Sequence, residues 1–582
     1  MRSPGRDGGS CFRISEGNGK TPMIRDRDQK IVTDNYTQQY ESEKYSVYWE
    51  GLLYIKSIPS GAESVRAFLE SIPERGIQSA CGSLSGNFCC FLHDKLQNTL
   101  YAFVDNDRAS RLFYNGSLIS SSFLKLIDRV DVSLNDINPY SVIEFVHSGR
   151  VLGSKTFFYN VNVLSSNEIF VASERGTGLI VKEPESIVET GSYEAMFLDT
   201  FSRIVSSLRN RKCKLHLTGG GDTRLLAVLL KREAVALDTF TVGLPGHPDT
   251  EIAARLAAHL QLTHHCINHS TGDETSVLSD LEEIFEFGDG LYDIFRLYHG
   301  YHTHQRSLHA DADLVISGNG GELYKFAEWW SLRRETRNNT IKRLAYTLQS
   351  GGASRNSPLY TAHDFFSPEF RRHALDYTPW LESSLKTMFP NGSGKDLADK
   401  IFEYSLTGDY RLPQDDRVLR VYGVLLDREL VACANRIPAF DRFFSRFHQK
   451  MILTLNPAVA RMDITDPRYG YVKGTKWLYG KAKEKIRVRM DALRRLASVS
   501  DKDGGNGRGD DSSLLKYDVT MSALNWSNSL HGIVKHSRKG RENIEYLKKC
   551  TIVDPDMTAA GIDNLFFGRL YSCAELLKKI DR

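Results

Sequence analysis

Lys214-Leu-His-Leu-Thr-Gly-Gly-Gly-Asp-Thr-Arg-Leu-Leu-Ala-Val-Leu-Leu230 decides the fold. Leu215 and Leu217 alternate with polar neighbours, which predicts the end of a strand. Gly219, Gly220 and Gly221 turn the chain. The leucine-rich run at 223–231 has no breaker and reads as a helix. A strand, a glycine turn and a helix start together make an anion site: bare backbone N–H groups approach a phosphate closely, and the helix N-terminus favours negative charge. Asp222, expected at the loop end and outside the core, is placed where a carboxylate could hold a metal ion bridging those phosphates. No Lys-Ser/Thr follows the glycines, so this is not a Walker A loop.

Two further stretches share the pattern. Residues 237–244 form a buried-looking run that ends in Gly243 and Leu244. Residues 313–322 run from Asp313 through Leu-Val-Ile into Ser317-Gly-Asn-Gly-Gly-Glu322. Strands that end in glycine turns, with helical runs around them, predict a parallel α/β sheet that binds its ligand at the strands' carboxyl ends.

On these residues the chain resembles the asparagine synthetase superfamily, which includes β-lactam synthetases and lasso-peptide cyclases. Leu217-Thr-Gly-Gly-Gly-Asp-Thr223 resembles the family's pyrophosphate loop. Phe240-Thr-Val-Gly-Leu-Pro-Gly-His-Pro-Asp249, with Ala253, Ala254, Ala257, His259 and His264-His265, resembles its second nucleotide segment. Ser317-Gly-Asn-Gly-Gly-Glu-Leu323 resembles its third glycine loop. The resemblance covers roughly residues 45–490 and implies an α/β chain of two units. The first, 45–185, is an α+β layered antiparallel domain like a glutaminase. The second, 192–490, is a parallel-sheet ATP-pyrophosphatase domain with extra helices. Residues 1–44 are expected to be a loosely held arm, and 491–582 a helical tail with a polar break at 500–513.

The first domain is read from β-rich runs at 45–55, 86–92, 99–104 and 111–114. Gly86-Asn-Phe88, Asp105, Leu112-Phe-Tyr114 and 151–157 fall where the family has matching residues. The family's nucleophilic Cys follows the initiator Met, and here that position is Arg2, which cannot attack an amide carbon. Cys11 would need a trimmed N-terminus. The family's substrate-binding Arg, Gly and Pro are missing too: Val104, Arg108 and Arg111 stand in their places. The domain is therefore expected to persist as a structural partner without glutaminase activity.

By the same resemblance, ATP and Mg²⁺ are the implied cofactors. Leu217, Thr218, Gly219, Gly220, Gly221, Asp222 and Thr223 would hold pyrophosphate; Val242, Gly243 and Leu244 would line the adenosine; Gly318, Asn319 and Gly320 would complete the nucleotide site. Asp222 and Glu322 would hold the metal. Glu322 and Lys473 are the catalytic candidates, with Arg468 the second choice for the cation. The third loop is one acid short of the family's Ser-Gly-Glu/Asp-Gly-x-Asp-Glu, and Asn319 stands in place of its first acid. Arg436, Pro438 and Asp441 match a family segment in which a structural role for the Arg–Asp pair is favoured.

The implied reaction is AMP-forming ligation of a small-molecule or peptide carboxylate to an amine. The alternatives are asparagine synthetase proper or a non-catalytic nucleotide-binding relative. A net charge of +3 in 582 residues implies neither nucleic acid nor an acidic membrane as partner. No apolar run approaches the ~20 residues that span a bilayer, and the polar first thirty residues lack a signal core. Nine cysteines without paired metal-ligand spacing suit a reducing cytoplasm. Cys89 and Cys90, adjacent on a strand, are expected to be buried on opposite faces. The sequence leaves the oligomeric state open, with a homodimer among the options.

Overall fold

A computed structural model describes residues 11–14, 24–25, 38–107, 109–116, 118–149, 151, 153–183, 185, 187, 191–243, 246–267, 274–295, 297–298, 301, 312–325, 364–388, 421–442, 445–464, 530–562 and 564–581. The N-terminal part holds two antiparallel sheets. One has the order β11-β10-β6-β5-β4-β3 and is built from β3 (Gln38–Glu41), β4 (Tyr45–Ile55), β5 (Leu84–Asp94), β6 (Thr99–Val104), β10 (Glu168–Ser173) and β11 (Gly176–Val181). The other has the order β2-β1-β8-β7-β9 and is built from β1 (Cys11–Ile14), β2 (Ile24–Arg25), β7 (Phe113–Asn115), β8 (Leu118–Ser120) and β9 (Asn162–Val163). Strand alternation builds the layers. Cys89 and Phe91 of β5 pack with Ile119 and Phe170 between the sheets. Cys90 and Leu92 of the same strand pack with Val65 and Phe68 of α1 (Ala62–Gly82) on the other face. The two adjacent thiols thus point to opposite faces, as the period of two requires. Within the segment expected as an arm, β3 pairs with β4, and β1 pairs with β8 through Cys11↔Ser120.

Asp105, one of the family-like positions, is fully buried and accepts the backbone N–H groups of Asp107, Ala109 and Ser110 at 3.0, 2.8 and 2.7 Å. It shapes the turn after β6. Beyond the second sheet lie α2 (Phe123–Ile127) and α3 (Pro139–Ser148). Asn138 caps α3, whose first residue is Pro139 with its fixed φ.

The C-terminal part is organised on a parallel sheet of order β14-β13-β12-β15-β16, from β12 (Cys213–His216), β13 (Leu237–Val242), β14 (His264–Ile267), β15 (Leu314–Ile316) and β16 (Val421–Tyr422). Around it run α4 (Tyr193–Ser207), α5 (Gly221–Arg232), α6 (Pro248–His259) and α7 (Glu274–Phe287). Leu215 and Leu217 meet Leu225, Leu226 and Leu229 of α5 on one face, while Phe240 and Val315 form a smaller cluster on the other. The chain is therefore mixed α/β, with antiparallel layers first and a parallel sheet after.

One continuous core joins the two parts. It runs from Tyr54 and Phe113, through α2 and α3, to β12, α5 and the helices Arg538–Lys549 and Asn564–Ile580. Those last helices, read from sequence as a tail, pack onto the first domain: Arg569 donates to the carbonyls of Val146 (2.9 Å) and His147 (2.6 Å) at the end of α3. The sheet edge is also bonded across: Tyr54 and Tyr422 share a 2.7 Å hydroxyl contact, and Asn87 donates to the Val421 carbonyl. Among the described residues no helix is long and apolar enough to cross a membrane.

Candidate active site

The carboxyl ends of β12, β13 and β15 converge, and each leads into one of the three glycine segments. After β12, Leu217 is buried, and its N–H donates to the Phe240 carbonyl at 2.8 Å. Thr218 then organises the turn. Its N–H donates to Thr223 Oγ1 (3.0 Å), the two hydroxyls are 3.0 Å apart, and its Oγ1 accepts the N–H of Gly220 (3.2 Å). Gly220 is the N-cap of α5 and supplies no side-chain cap. The amides of the first turn of α5 thus present the partial positive charge expected of a helix start.

The N–H of Gly219 is taken by Asp249 Oδ1, at 2.6 Å, from the first turn of α6. Arg224, 3% exposed, reaches back under the loop, donating to the carbonyls of Gly219, Val459, Met462 and Asp463. Burial pushes its guanidinium down to about 10, with Asp463 opposing. Arg224 therefore fastens the glycine loop to 459–463.

The third segment closes over the first. A β-carbon on Gly318 would lie 2.7 Å from Thr223 Cγ2, and one on Gly321 would lie 2.2 Å from Asp222 Cγ. Only bare backbone allows this approach. Gly320 adopts φ +91°, a left-handed conformation that suits glycine, and turns the chain into the short helix Gly321–Tyr324. Glu322 is half-buried on that helix and Asn319 half-buried before it.

Asp222 differs from its expected setting at a loop end outside the core. It lies in the first turn of α5, with its side chain only 17% exposed. The reason is tertiary. Lys325, immediately after the short helix, places its Nζ on Oδ2, and His448 Nε2, from the helix Arg446–Leu455, lies 2.9 Å from Oδ1. Burial alone would push the Asp222 carboxyl up, but the Lys325 ammonium, with His448 beside it, more than offsets this and holds it at about 2. His448 is 1% exposed and packs edge-on to Tyr324.

Of the adenosine candidates, Val242 ends β13 half-buried, and Gly243 donates its N–H to Ile267 at 3.0 Å. A β-carbon on Gly243 would meet Thr250 Oγ1 at 2.7 Å. Leu244, Lys473 and Arg468 lie outside the described residues. His264 sits on β14 between the hydroxyls of Thr239 (2.9 Å) and Thr241 (3.4 Å), and burial lowers its pKa. Arg436 donates to the Gly191 carbonyl, and Asp441 accepts from Tyr193 at 2.6 Å, so both dock the start of α4.

The residues present fit a nucleotide. Two buried hydroxyls at the site, Ser317 Oγ and Thr250 Oγ1, have no hydrogen-bond partner among the described residues. Such groups cost about 1–3 kcal/mol when left unsatisfied, and a bound ligand would satisfy them. The fit to a metal is narrower. Among the described residues no group of three His, Cys, Asp or Glu side chains could hold an ion. A Mg²⁺ ion at Asp222 would take its remaining ligands from phosphate and water, the usual arrangement for that ion.

An α/β unit with a glycine loop opening onto a helix start, closed by a second glycine loop, is the framework of an ATP-dependent enzyme. Residues 209–453, from just before β12 to the helix carrying His448, match the asparagine synthase family, which supports the asparagine synthetase superfamily for that region. The match indicates a ligase of a family that generally binds ATP with a divalent metal. No curated protein matches the chain. Sequence reasoning missed Lys325, His448, Arg224 and the reach of Asp249 to Gly219. Arg224 and Asp249 lay in segments already singled out; Lys325 and His448 did not.

Proposed function

We propose that the protein is an AMP-forming carboxylate–amine ligase whose amine is not glutamine-derived ammonia. The observation that carries this reading is the amide-lined start of α5 at the strand ends, closed by the Gly318–Gly321 loop. A site that grips the β- and γ-phosphates leaves the α-phosphate open to attack. The substrate carboxylate oxygen bonds to the α-phosphorus, the bond to the bridging oxygen breaks, and pyrophosphate leaves toward the helix start. Amides already oriented there stabilise the leaving charge without reorganisation. Mg²⁺, held by Asp222 together with the phosphates, would add to that charge stabilisation. The amine lone pair then attacks the acyl carbon, AMP leaves, and the amine proton passes to a base, for which Glu322 is the carboxylate on the third loop.

The cysteines support the absence of glutaminase chemistry. Cys81, Cys89 and Cys90 are buried, and burial pushes Cys81 up to about 12 and Cys90 well above its ordinary value, away from the thiolate that attacks. Without glutamine as its source, the amine comes from a second substrate, free ammonia included, or from the molecule that carries the carboxylate.

ATP–pyrophosphate exchange across a panel of carboxylates tests the first half. Carboxylate-dependent exchange with AMP formation is expected, and ATP cleavage to ADP would refute it. Incubation with glutamine tests the second half. Steady glutamate release by the wild type that disappears in Cys11→Ala would overturn it.

A further inference from the structure

Two donors at the candidate phosphate site are occupied by the protein's own carboxylates. The Gly219 N–H bonds Asp249 Oδ1 at 2.6 Å, and the Lys325 ammonium is paired with Asp222 Oδ2. A carboxylate on a loop amide and a carboxylate on a lysine have the charge and acceptor geometry of phosphate oxygens. Lys325 is 21% exposed at its side chain and follows directly on the loop that closes over α5. Its flexible stem lets the ammonium turn through several ångströms without moving the backbone.

We propose that Lys325 is a polyphosphate-binding residue, and that its ion pair with Asp222 holds it in reserve until the phosphate chain arrives. This deepens the ligase reading and rests on it for the identity of the site, but not for the test. On binding, phosphate oxygens displace Asp249 from the Gly219 N–H and draw Lys325 from Asp222. Asp222 is thereby freed for a divalent cation. The cation and the phosphate chain should then each strengthen the other's binding, because each removes the partner that competes with the other.

The experiment is calorimetric binding of inorganic pyrophosphate to the full-length protein, with and without Mg²⁺. Wild type should bind, and bind more tightly with Mg²⁺. Lys325→Gln should bind at least ~10-fold more weakly, as the loss of a charge-assisted contact predicts, and Lys325→Arg should stay within about threefold of wild type. Without Mg²⁺, Asp222→Asn should bind more tightly than wild type. That gain should vanish in the Asp222→Asn/Lys325→Gln double variant, which leaves no unpaired buried carboxylate and keeps the test intact if Lys325→Gln alone is unstable. Wild-type binding too weak to detect, unchanged affinity in Lys325→Gln, or a gain from Asp222→Asn that persists in the double variant would each overturn the proposal. Failure of the ligase reading looks different: pyrophosphate would bind in this Lys325-dependent way while no carboxylate supported AMP formation.

Discussion

Replacing Gly321 with alanine tests whether the first and third glycine loops are one structure. The added β-carbon would lie 2.2 Å from Asp222 Cγ and 2.4 Å from its Oδ1. Carbon atoms in contact settle at about 3.5–4.0 Å, so the loop must move or the carboxylate must leave. Asp222 is not free to swing, because Lys325 and His448 flank its two oxygens. Tearing a buried carboxylate from its partner costs about 3–5 kcal/mol, whereas overpacking that shifts a loop costs about 1–3 kcal/mol. The cheaper route wins, so the variant should lose about 1–3 kcal/mol and melt roughly 2–10 °C lower in a unit of this size. The shifted loop should also open the close approach of the third glycine segment to α5, while the flexible Lys325 stem keeps its ion pair, and reduce pyrophosphate exchange by at least ~10-fold, because small misplacements of positioning groups are felt strongly in the rate. Gly178→Ala is the control: on the exposed strand β11 a β-carbon there meets nothing within 4 Å. It should change stability by less than about 0.5 kcal/mol. Calorimetric melting and exchange assays on the three proteins decide the matter. A Gly321→Ala variant that melts and exchanges like the wild type would refute the reasoning.

Lys56→Met should destabilise strongly. Lys56 lies 3.0 Å from Asp427 and 3.2 Å from Glu429, and these carboxylates, Asp427 first, hold its ammonium above its ordinary pKa against the pull of burial. Losing it strands Asp427, 1% exposed, at a cost of about 3–5 kcal/mol in melting experiments, and Lys56→Met/Asp427→Asn should recover much of the loss. Acid should act through Asp222. Its folded pKa, about 2, lies below the ordinary 3.8, so the ionised form stabilises the fold above pH 3.8, and that contribution fades as pH falls from there toward 2. Asp222→Asn should therefore melt below the wild type at pH 6 and close part of that gap by about pH 2.5, and a gap that widens on acidification would contradict the assignment.

The antiparallel layers have a physical use that does not depend on glutaminase chemistry. Asp107 Oδ1 accepts the Arg428 N–H at 3.0 Å, and Lys56 binds Asp427. The stretch between β16 and Asp427 carries Leu426, whose side chain lies 2.7 Å from where a β-carbon on Gly320 would sit. Tyr324 donates to the Leu430 carbonyl at 2.9 Å. Through these contacts the antiparallel layers brace the third loop from behind.

Much of the framework was legible in the sequence because it is written in short-range pattern. β-rich composition between turns placed β4 and β6 at their observed limits, and the period of two set Cys89 and Cys90 on opposite faces. The run from Leu215 to Leu230 announced strand, turn and helix, since alternating leucines give way across the glycines to an unbroken leucine-rich run. The order of the three glycine segments announced their convergence, because parallel strands end on the same side of their sheet. What surrounds Asp222 was not legible. Lys325 is one surface-type charge among 75 Lys and Arg residues, and His448 lies more than two hundred positions away with nothing local to mark it. Arg224 reads as an ordinary helical charge until the chain returns at 459–463 to receive it. These partners are chosen by which helix ends and loops the tertiary fold brings to one point. Their charges take their values from the burial that this packing imposes, and local sequence encodes neither.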